Sequence, residues 1–450
     1  MWSESELTAI GELVEFAIGG GWGNDPHETL EDGEQLVQVI RGTDIPAVQY
    51  GHLGQSPFRV ETKRSVEKRT LQAGDIVLEI SGGSSAKGQT TGRTCLITSV
   101  VLENAQAPLI PASFCRLVRL KQEMVFPEFA YYWLQEMYKS GRAGEYENRS
   151  TGISNFQFKV FLEREKLRLP AMAEQKDIAL TLRAIDDKIA NNRTLAADLE
   201  AMARAIFKSW FVDFDPVKAK MDGRAPAGMD AETAALFPDE LVESELGLIP
   251  KGWVPSSIGD VADNVKSGVR ADTIDPDEPY VALEHFEKAC LSLFAHARGQ
   301  DATSNKTRFE AGDLLFGKLR PYFHKVAIAP FDGVCSTDVL AIRPKSTQYA
   351  SYTYCAFSNK SVVDYVTNLS GGTRMPRTNW KQLASYPAAI PPVAVANAFN
   401  LVAAPMLGFV ADVGAENLEL SRLRDILLPR LISGKLRLPD SSDQSLAEGD

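Results

Sequence analysis

The sequence predicts an α+β protein: two tandem, mutually similar domains joined by two long helices that form an antiparallel coiled coil. Three observations predict it. The chain has 450 residues, more than one hydrophobic core usually holds. It repeats itself collinearly along most of its length. Each repeat is followed by a segment whose apolar residues step alternately by fours and threes.

The clearest repeated stretch is AGDIVLEISGG at 73–83 and AGDLLFGKLRP at 311–321. A Gly-Asp turn pair, Gly74-Asp75 or Gly312-Asp313, leads into an apolar run that reads as a buried strand. AIGELVEF (9–16) matches SIGDVADN (257–264), SFCRLVRLK (113–121) aligns with STDVLAIRP (336–344), and FAYYWLQ (129–135) aligns with YTYCAFS (352–358). TGISNFQFKVF (151–161) aligns with TRMPRTNWKQL (373–383), which places Phe158 on Trp380 and Lys159 on Lys381. The order of matches is the same in both halves. Short β-branched and aromatic runs broken by Gly, Pro, Asn and Asp, with one compact helix per half, define an α+β domain.

The segment after LRLPAMAEQ lacks Gly and Pro and has a seam of Ile178, Leu182, Ile185, Ile189, Ala196, Leu199, Ala203, Ile206 and Trp210. Such a helix would span roughly 50 to 60 Å and hold the two domains apart. After AIPPVAVAN a second seam runs through Phe399, Val402, Met406, Phe409, Val413, Leu420, Leu423 and Leu427. Sliding one seam onto the other puts Glu416 on Asn192, and a polar seam residue can fix register and pairing. Pro405 is expected to kink or delay this second helix. The expected divisions are a first domain over 1–162, a spacer helix over 163–215, a linker over 216–254, a second domain over 255–392, a distal helix over 393–436 and a disordered acidic tail over 437–450.

The five cysteines are scattered with no CxxC or Cys/His pairing, so neither a zinc site nor a disulfide framework is expected. No phosphate loop, HExxH or GxSxG occurs, and the five histidines are isolated. Asp75, Glu79 and Lys87 loosely suggest a nuclease set, but the repeat has Gly317 in place of Glu79. No catalytic or metal site is therefore expected. The N-terminus has no basic region followed by an apolar core, and no run of about 18 apolar residues is read along the chain, so the expected setting is cytoplasmic, with no membrane.

Net charge is −11, which alone speaks against nucleic acid. Distribution qualifies the sum. Basic residues gather in RVETKRSVEKR (59–69) and KTRFEAGDLLFGKLRPYFHK (306–325), acids in FPDELVESELG (237–247) and the C-terminal SSDQSLAEGD. The residues alone leave open a protein-interaction scaffold of duplicated α+β domains that binds no nucleic acid.

The linker ESELGLIPKGWVPSSIGDV (243–261), the AGDLLFGKLRP lead-in, the ending LRDILLPRLISGKL (423–436) and AMAEQKDIALTLRAIDDKI (171–189) resemble the specificity subunit of type I restriction-modification systems. The resemblance covers nearly the whole chain. It implies two target-recognition domains, each reading one half of an asymmetric split site in double-stranded DNA. It also implies helices that set the gap and dock methyltransferase subunits, two copies being expected, with restriction or translocase subunits as further partners of the family. S-adenosylmethionine would then belong to the methyltransferase, and this subunit would hold no cofactor.

On that basis Lys318, Arg320, Tyr322 and Lys325, followed by Arg374 and Arg377, are the DNA-binding candidates of the second domain. Arg reads guanine in bidentate fashion and Lys more often holds phosphate, so Arg320 and Arg374 are the base-reading choices and Lys318 and Lys325 the positioning ones. The first domain offers Ser81, Ser84 and Lys87, with Arg149 and Asn155, and also Lys63 and Arg64. The IFKSWF face, through Ile206, Phe207, Trp210 and Phe211, is expected to dock a partner helix because it is apolar on more than one side.

Overall fold

A computed structural model describes residues 7–54, 56–82, 90–150, 153–370 and 375–438. The expected acidic tail lies outside these residues except at 437 and 438. The chain folds as two compact units, residues 1–190 with 421–450, and residues 191–420.

The centre of the first unit is an antiparallel sheet of β1 (Val14–Gly19), β2 (Ile76–Glu79), β3 (Thr94–Leu96) and β4 (Cys115–Leu120), in spatial order β1-β4-β2-β3. Strand β2 is buried on both faces, which is why Ile76, Val77 and Leu78 are apolar in succession without alternation. Ile76 and Leu78 face a core with Phe129 and Trp133 of the helix Pro127–Lys139. Val77 faces the opposite core, with Ile45, Val48, Cys95 and Leu117. A second, three-stranded sheet pairs Glu34–Ile40 antiparallel with Phe58–Thr62 and parallel with Leu109–Pro111. Leu7–Ala9 against Lys166–Arg168 closes the unit.

The second unit repeats this plan. Strands β5 (Ala262–Asn264), β6 (Leu314–Gly317), β7 (Val326–Ile328) and β8 (Val339–Pro344) lie in the order β5-β8-β6-β7. Leu314 and Phe316 face one core and Leu315 the other. A second sheet again contains a parallel pair, Pro279–Val281 with Gly333–Cys335, and Val254–Ser257 against Pro387–Ile390 closes the unit. The repeat is thus a repeat of topology.

The aspartate of each AGD turn explains why the motif recurs. Asp75 is buried and receives Arg119 Nε and Nη2 on its two oxygens, both at 2.7 Å, with the Gln72 N–H donating at 2.7 Å. Asp313 is likewise buried, receives Arg343 Nε at 2.7 Å and Nη2 at 2.8 Å, and accepts from the Glu310 N–H at 2.9 Å. The carboxylate so close by raises the pKa of both guanidinium groups. Each clamp ties the turn to the neighbouring strand in bidentate geometry.

The strand register also corrects the alignment of SFCRLVRLK with STDVLAIRP. Ile76 pairs with Val118 and its equivalent Leu314 pairs with Ile342, so the true correspondence lies one residue further along the second copy. A one-residue slip exchanges sheet faces, and the corrected register superposes the two clamp arginines, Arg119 and Arg343.

Helix α1 (Met172–Phe211) and helix α2 (Val393–Ile432) are each 40 residues long. In the first unit Ile178 and Leu182 of α1 pack with Leu428, Leu431 and Ile432 of α2. There Asp186 receives Arg424 Nη1 at 2.6 Å and the Tyr132 hydroxyl at 2.8 Å. In the second unit Asn192 Nδ2 donates to Glu416 Oε2 and Asn417 Oδ1, both at 2.9 Å, and Phe207 and Trp210 meet Phe399 with ring centroids 6.0 and 5.9 Å apart. Ascending numbers on α1 meet descending numbers on α2, so the helices are antiparallel. The polar residues that superpose when the seams are slid together are partners in space.

The α1 seam is buried or half-buried throughout. The α2 seam needs correction: Phe399 and Val413 are buried as expected, but Val402 and Leu423 are exposed, and the buried stripe also takes in Ala403, Leu407, Val410, Asn417, Arg424, Leu428 and Leu431. The helix carries apolar or small residues on most faces, so a search for apolar spacing skips the buried Asn417 and Arg424. Pro405 does not delay the helix, which begins at Val393 with Pro405 on its exposed side. Gly414 has a packing cause, since a Cβ there would sit 2.7 Å from the Leu293 carbonyl oxygen. Against the expectation of no such run, one 18-residue window of α2 reaches a mean hydropathy of 1.8, apolar enough by composition to cross a membrane. Val395, Phe399, Leu407 and Val410 within α2 are buried in the core of the second unit. Residues 216–254, expected as a linker, contribute Val217, Phe237, Ile249 and Trp253 to that same core.

Arg119→Ala leaves the buried Asp75 carboxylate without its counter-ion and is expected to cost about 3 kcal/mol or more. Thermal unfolding of the variant against the parent checks this, and Asp75→Asn combined with Arg119→Ala should recover part of the loss.

Candidate nucleic-acid interface

Strand β6 ends at Gly317, where a Cβ would stand 2.9 Å from Leu283 Cδ2 and 3.2 Å from Lys325 Cβ. The chain then leaves the sheet through Lys318, Leu319 and Arg320 into a 3-10 turn, Pro321–Phe323. Arg320 (φ 48°) and His324 (φ 51°) both lie in the left-handed region, a cost of order 1 kcal/mol each that the surroundings must hold in place.

Those surroundings come from two other segments. The Lys318 N–H donates to the Asp338 carbonyl at 2.7 Å, the Thr378 N–H to the Lys318 carbonyl at 3.0 Å, and the Arg320 N–H to the Pro376 carbonyl at 2.8 Å. Leu319 and Arg377 form a β-bridge. The two stretches chosen from the sequence, GKLRPYFHK and TRMPRTNW, are therefore neighbours. His324 is buried, with Nε2 2.9 Å from the Ser358 carbonyl, and burial lowers its pKa.

The side chains divide by exposure. The Arg377 side chain is 54% exposed and is ion-paired with Asp338 through Nη2. Tyr322 and Phe323 are 46% and 41% exposed, their ring centroids 4.8 Å apart. Arg320 is half-buried, its guanidinium carbon 5.9 Å from the Phe323 centroid. Lys325 donates from Nζ to the Leu283 carbonyl at 2.7 Å, so its ammonium is engaged at home. Lys318 is half-buried, and burial first, then the charge of Arg377, lowers its pKa. Arg374 lies outside the described residues.

The first unit builds the same juxtaposition. Strand Ser81–Gly82 pairs with Ile153–Phe156, which pairs in turn with Glu147–Ser150, setting Arg149 opposite Ser154. Asn155 is exposed and its Oδ1 accepts from Ser81 Oγ at 2.8 Å. The Ile80 N–H donates to the Phe114 carbonyl at 2.9 Å, matching the Lys318 to Asp338 bond of the second unit. The AGD repeat puts Ser81 on Leu319, and the alignment of TGISNFQFKVF with TRMPRTNWKQL puts Asn155 on Arg377. The pair Ser81–Asn155 is therefore the counterpart of the bridge Leu319–Arg377. Ser84, Lys87 and the side chain of Arg149 lie outside the described residues. Lys63 and Arg64 are exposed at the start of a separate helix, Lys63–Arg69, whose N-terminus is capped by Thr62 Oγ1.

Two residues of this region were missed: Asp338 and Phe114, the latter 61% exposed. Both lie within STDVLAIRP and SFCRLVRLK. The one-residue slip in that alignment kept them from being set side by side.

The docking expectation for IFKSWF is corrected. Phe207, Trp210 and Phe211 are 5–6% exposed, and Ile206 packs half-buried against the same core. Phe211 meets Tyr352 at 5.0 Å and Phe399 at 5.1 Å, and Trp210 meets Phe237 edge-on at 5.2 Å. The apolar surplus is filled by the aromatic core of the unit itself. Asp75 and Glu79 are also accounted for structurally, since Arg93 clamps Glu79 with bonds of 2.8 and 2.6 Å. Burial pushes the thiols of Cys115, Cys335 and Cys355 up to about 12, which leaves them protonated at neutral pH.

The family described as type I restriction modification DNA specificity domain matches residues 43–201 and 250–395. The specificity subunit of the type I restriction enzyme MjaIX of Methanocaldococcus jannaschii is 26% identical over 336 residues, spanning 71% of this chain and 72% of that one. The specificity subunit of the type I restriction enzyme HindI of Haemophilus influenzae is 23% identical over 363 residues, spanning 70% and 78%. The crystal structure of a type I restriction-modification S subunit from M. genitalium superposes with a TM-score of 0.53 at 14% identity, covering 95% of this chain and 96% of that one, and so shares the fold.

Phe207→Ala is expected to destabilise the chain by about 3 to 5 kcal/mol. Thermal unfolding of the isolated chain checks it. A variant as stable as the parent, defective only in partner binding, would return the residue to the docking role.

Proposed function

From the premise that this chain belongs to the type I restriction-modification DNA specificity family, we propose that each unit reads one half of an asymmetric, bipartite site in double-stranded DNA. One observation carries the reading: both units present the same backbone juxtaposition, a loop after the central strand bonded to the loop before the last domain helix, with different side chains mounted on it. A shared frame with different readers yields two unlike half-sites. Within the second unit, Arg377 is the exposed cation best placed for base edges, ahead of Arg320, while Lys318 and Arg320 stand beside it. Phosphate contacts would position the duplex and base contacts would specify it.

The chain then reads and its partners act. Methyltransferase subunits, two copies in this reading, bring S-adenosylmethionine and the methyl transfer, and a restriction subunit would add cleavage. Helices α1 and α2 serve as spacer and as the site of methyltransferase docking.

Co-expression with the cognate methyltransferase followed by genome-wide mapping of methylated adenines tests this. One bipartite motif with two non-identical halves is expected. Arg377→Ala should loosen discrimination in one half by roughly 5- to 150-fold and leave the other unchanged. A complex that assembles yet methylates no bipartite motif, or an equal loss in both halves, contradicts the reading.

A further inference from the structure

At the structurally equivalent bridge the two units carry chemically opposite readers. Resting on the function just proposed, we infer that the first unit reads an A·T pair there through Asn155 and Phe114, and the second a G·C pair through Arg377 and Asp338.

The equivalence is set by backbone hydrogen bonds. In the first unit Ile80 N–H bonds the Phe114 carbonyl and Ser81 pairs with Asn155; in the second, Lys318 N–H bonds the Asp338 carbonyl and Leu319 pairs with Arg377. Four positions therefore correspond: Ile80 with Lys318, Ser81 with Leu319, Phe114 with Asp338, and Asn155 with Arg377. Each of these main-chain links lies within one unit.

The chemistry of each set is self-consistent. An Asn amide meets adenine in the major groove by accepting from N6 and donating to N7, and an apolar side chain packs on the thymine methyl of the same pair. Ser81 donates to Asn155 Oδ1 at 2.8 Å, which orients the amide and leaves that oxygen a second lone pair and Nδ2 two N–H groups. Phe114 is 61% exposed, and its carbonyl accepts from the Ile80 and Ser81 N–H groups at 2.9 and 3.2 Å, which sets it next to the bridge.

In the second unit the same two positions hold opposite charges. Asp338 engages Nη2 of Arg377, and the remaining guanidinium donors match O6 and N7 of guanine. A carboxylate at Asp338 can also accept from cytosine N4, while its charge is kept from the guanine acceptors by the Arg377 guanidinium it pairs with. Ser81 is a positioning residue that orients the Asn155 amide, whereas Asp338 both orients Arg377 and takes part in the readout.

The test is an exchange of readers in the full chain, assembled with its methyltransferase, read by genome-wide methylation mapping. Asn155→Arg with Phe114→Asp should change one base pair of one half-site from A·T to G·C. Arg377→Asn with Asp338→Phe should change one base pair of the other half-site from G·C to A·T. Parental motifs retained by both exchanges would overturn the inference. Should the exchanges abolish methylation, Asn155→Ala and Arg377→Ala decide by binding to duplexes substituted one base pair at a time. Loss of roughly 5- to 150-fold discrimination at a single A·T and a single G·C position supports the assignment, and a uniform loss across all duplexes overturns it. A parent complex that methylates no bipartite motif instead removes the proposed function itself, so the two failures are distinguishable.

Discussion

The buried carboxylate of the AGD turn is the constraint on which each recognition unit depends. Asp75 and Asp313 sit at the start of the central strand, each gripped by an arginine from the adjacent strand and by a main-chain N–H of its own turn. The clamp fixes where the strand begins, and four residues later the chain must leave the sheet at a defined point. Everything that faces outward follows from that exit: the turn after Gly317, the strained Arg320 and His324, and the bridge to the loop that precedes the last domain helix. Bidentate geometry matters here because a single hydrogen bond would locate the turn without orienting it. The cost of burying each charge is offset only while its partner remains in place.

The helices obey a second constraint of the same kind. Their interface is mostly Ile, Leu, Val, Ala and Phe, which alone would tolerate sliding by a heptad. Asn192 with Glu416 and Asn417 in one unit, and Asp186 with Arg424 and Tyr132 in the other, give the pair polar contacts that match in one register. The second contact also ties the helix pair to Tyr132 of the domain helix Pro127–Lys139, so the helix seam and the domain core are locked together in the first unit.

Much of this was legible because it rests on periodicity and repetition. The α+β class, the doubled AGD strand, the α1 seam and the polar match of Asn192 with Glu416 follow from spacing alone. What was lost has physical causes. The slip between SFCRLVRLK and STDVLAIRP comes from matching the apolar residues alone, whereas the true register is marked by the clamp arginines Arg119 and Arg343, which it superposes. The α2 stripe was rotated because its buried Arg424 and Asn417 are invisible to an apolar count. IFKSWF was read as a docking face because the sequence does not reveal Tyr352, Phe237 and Trp253 converging on it from distant segments. At the candidate interface the loops were found but not the pairing: Asp338 and Phe114 gain meaning only once the backbone bridge shows what they stand beside.

The central claim is that the bridge formed after the clamped strand presents side chains to base edges. A structure of the assembled complex on its methylated duplex measures this most directly. Arg377 guanidinium and Asn155 amide atoms are expected within about 3 Å of base-edge acceptors and donors in the groove. Contacts from both residues to phosphate oxygens alone, with the bases read elsewhere, would contradict it.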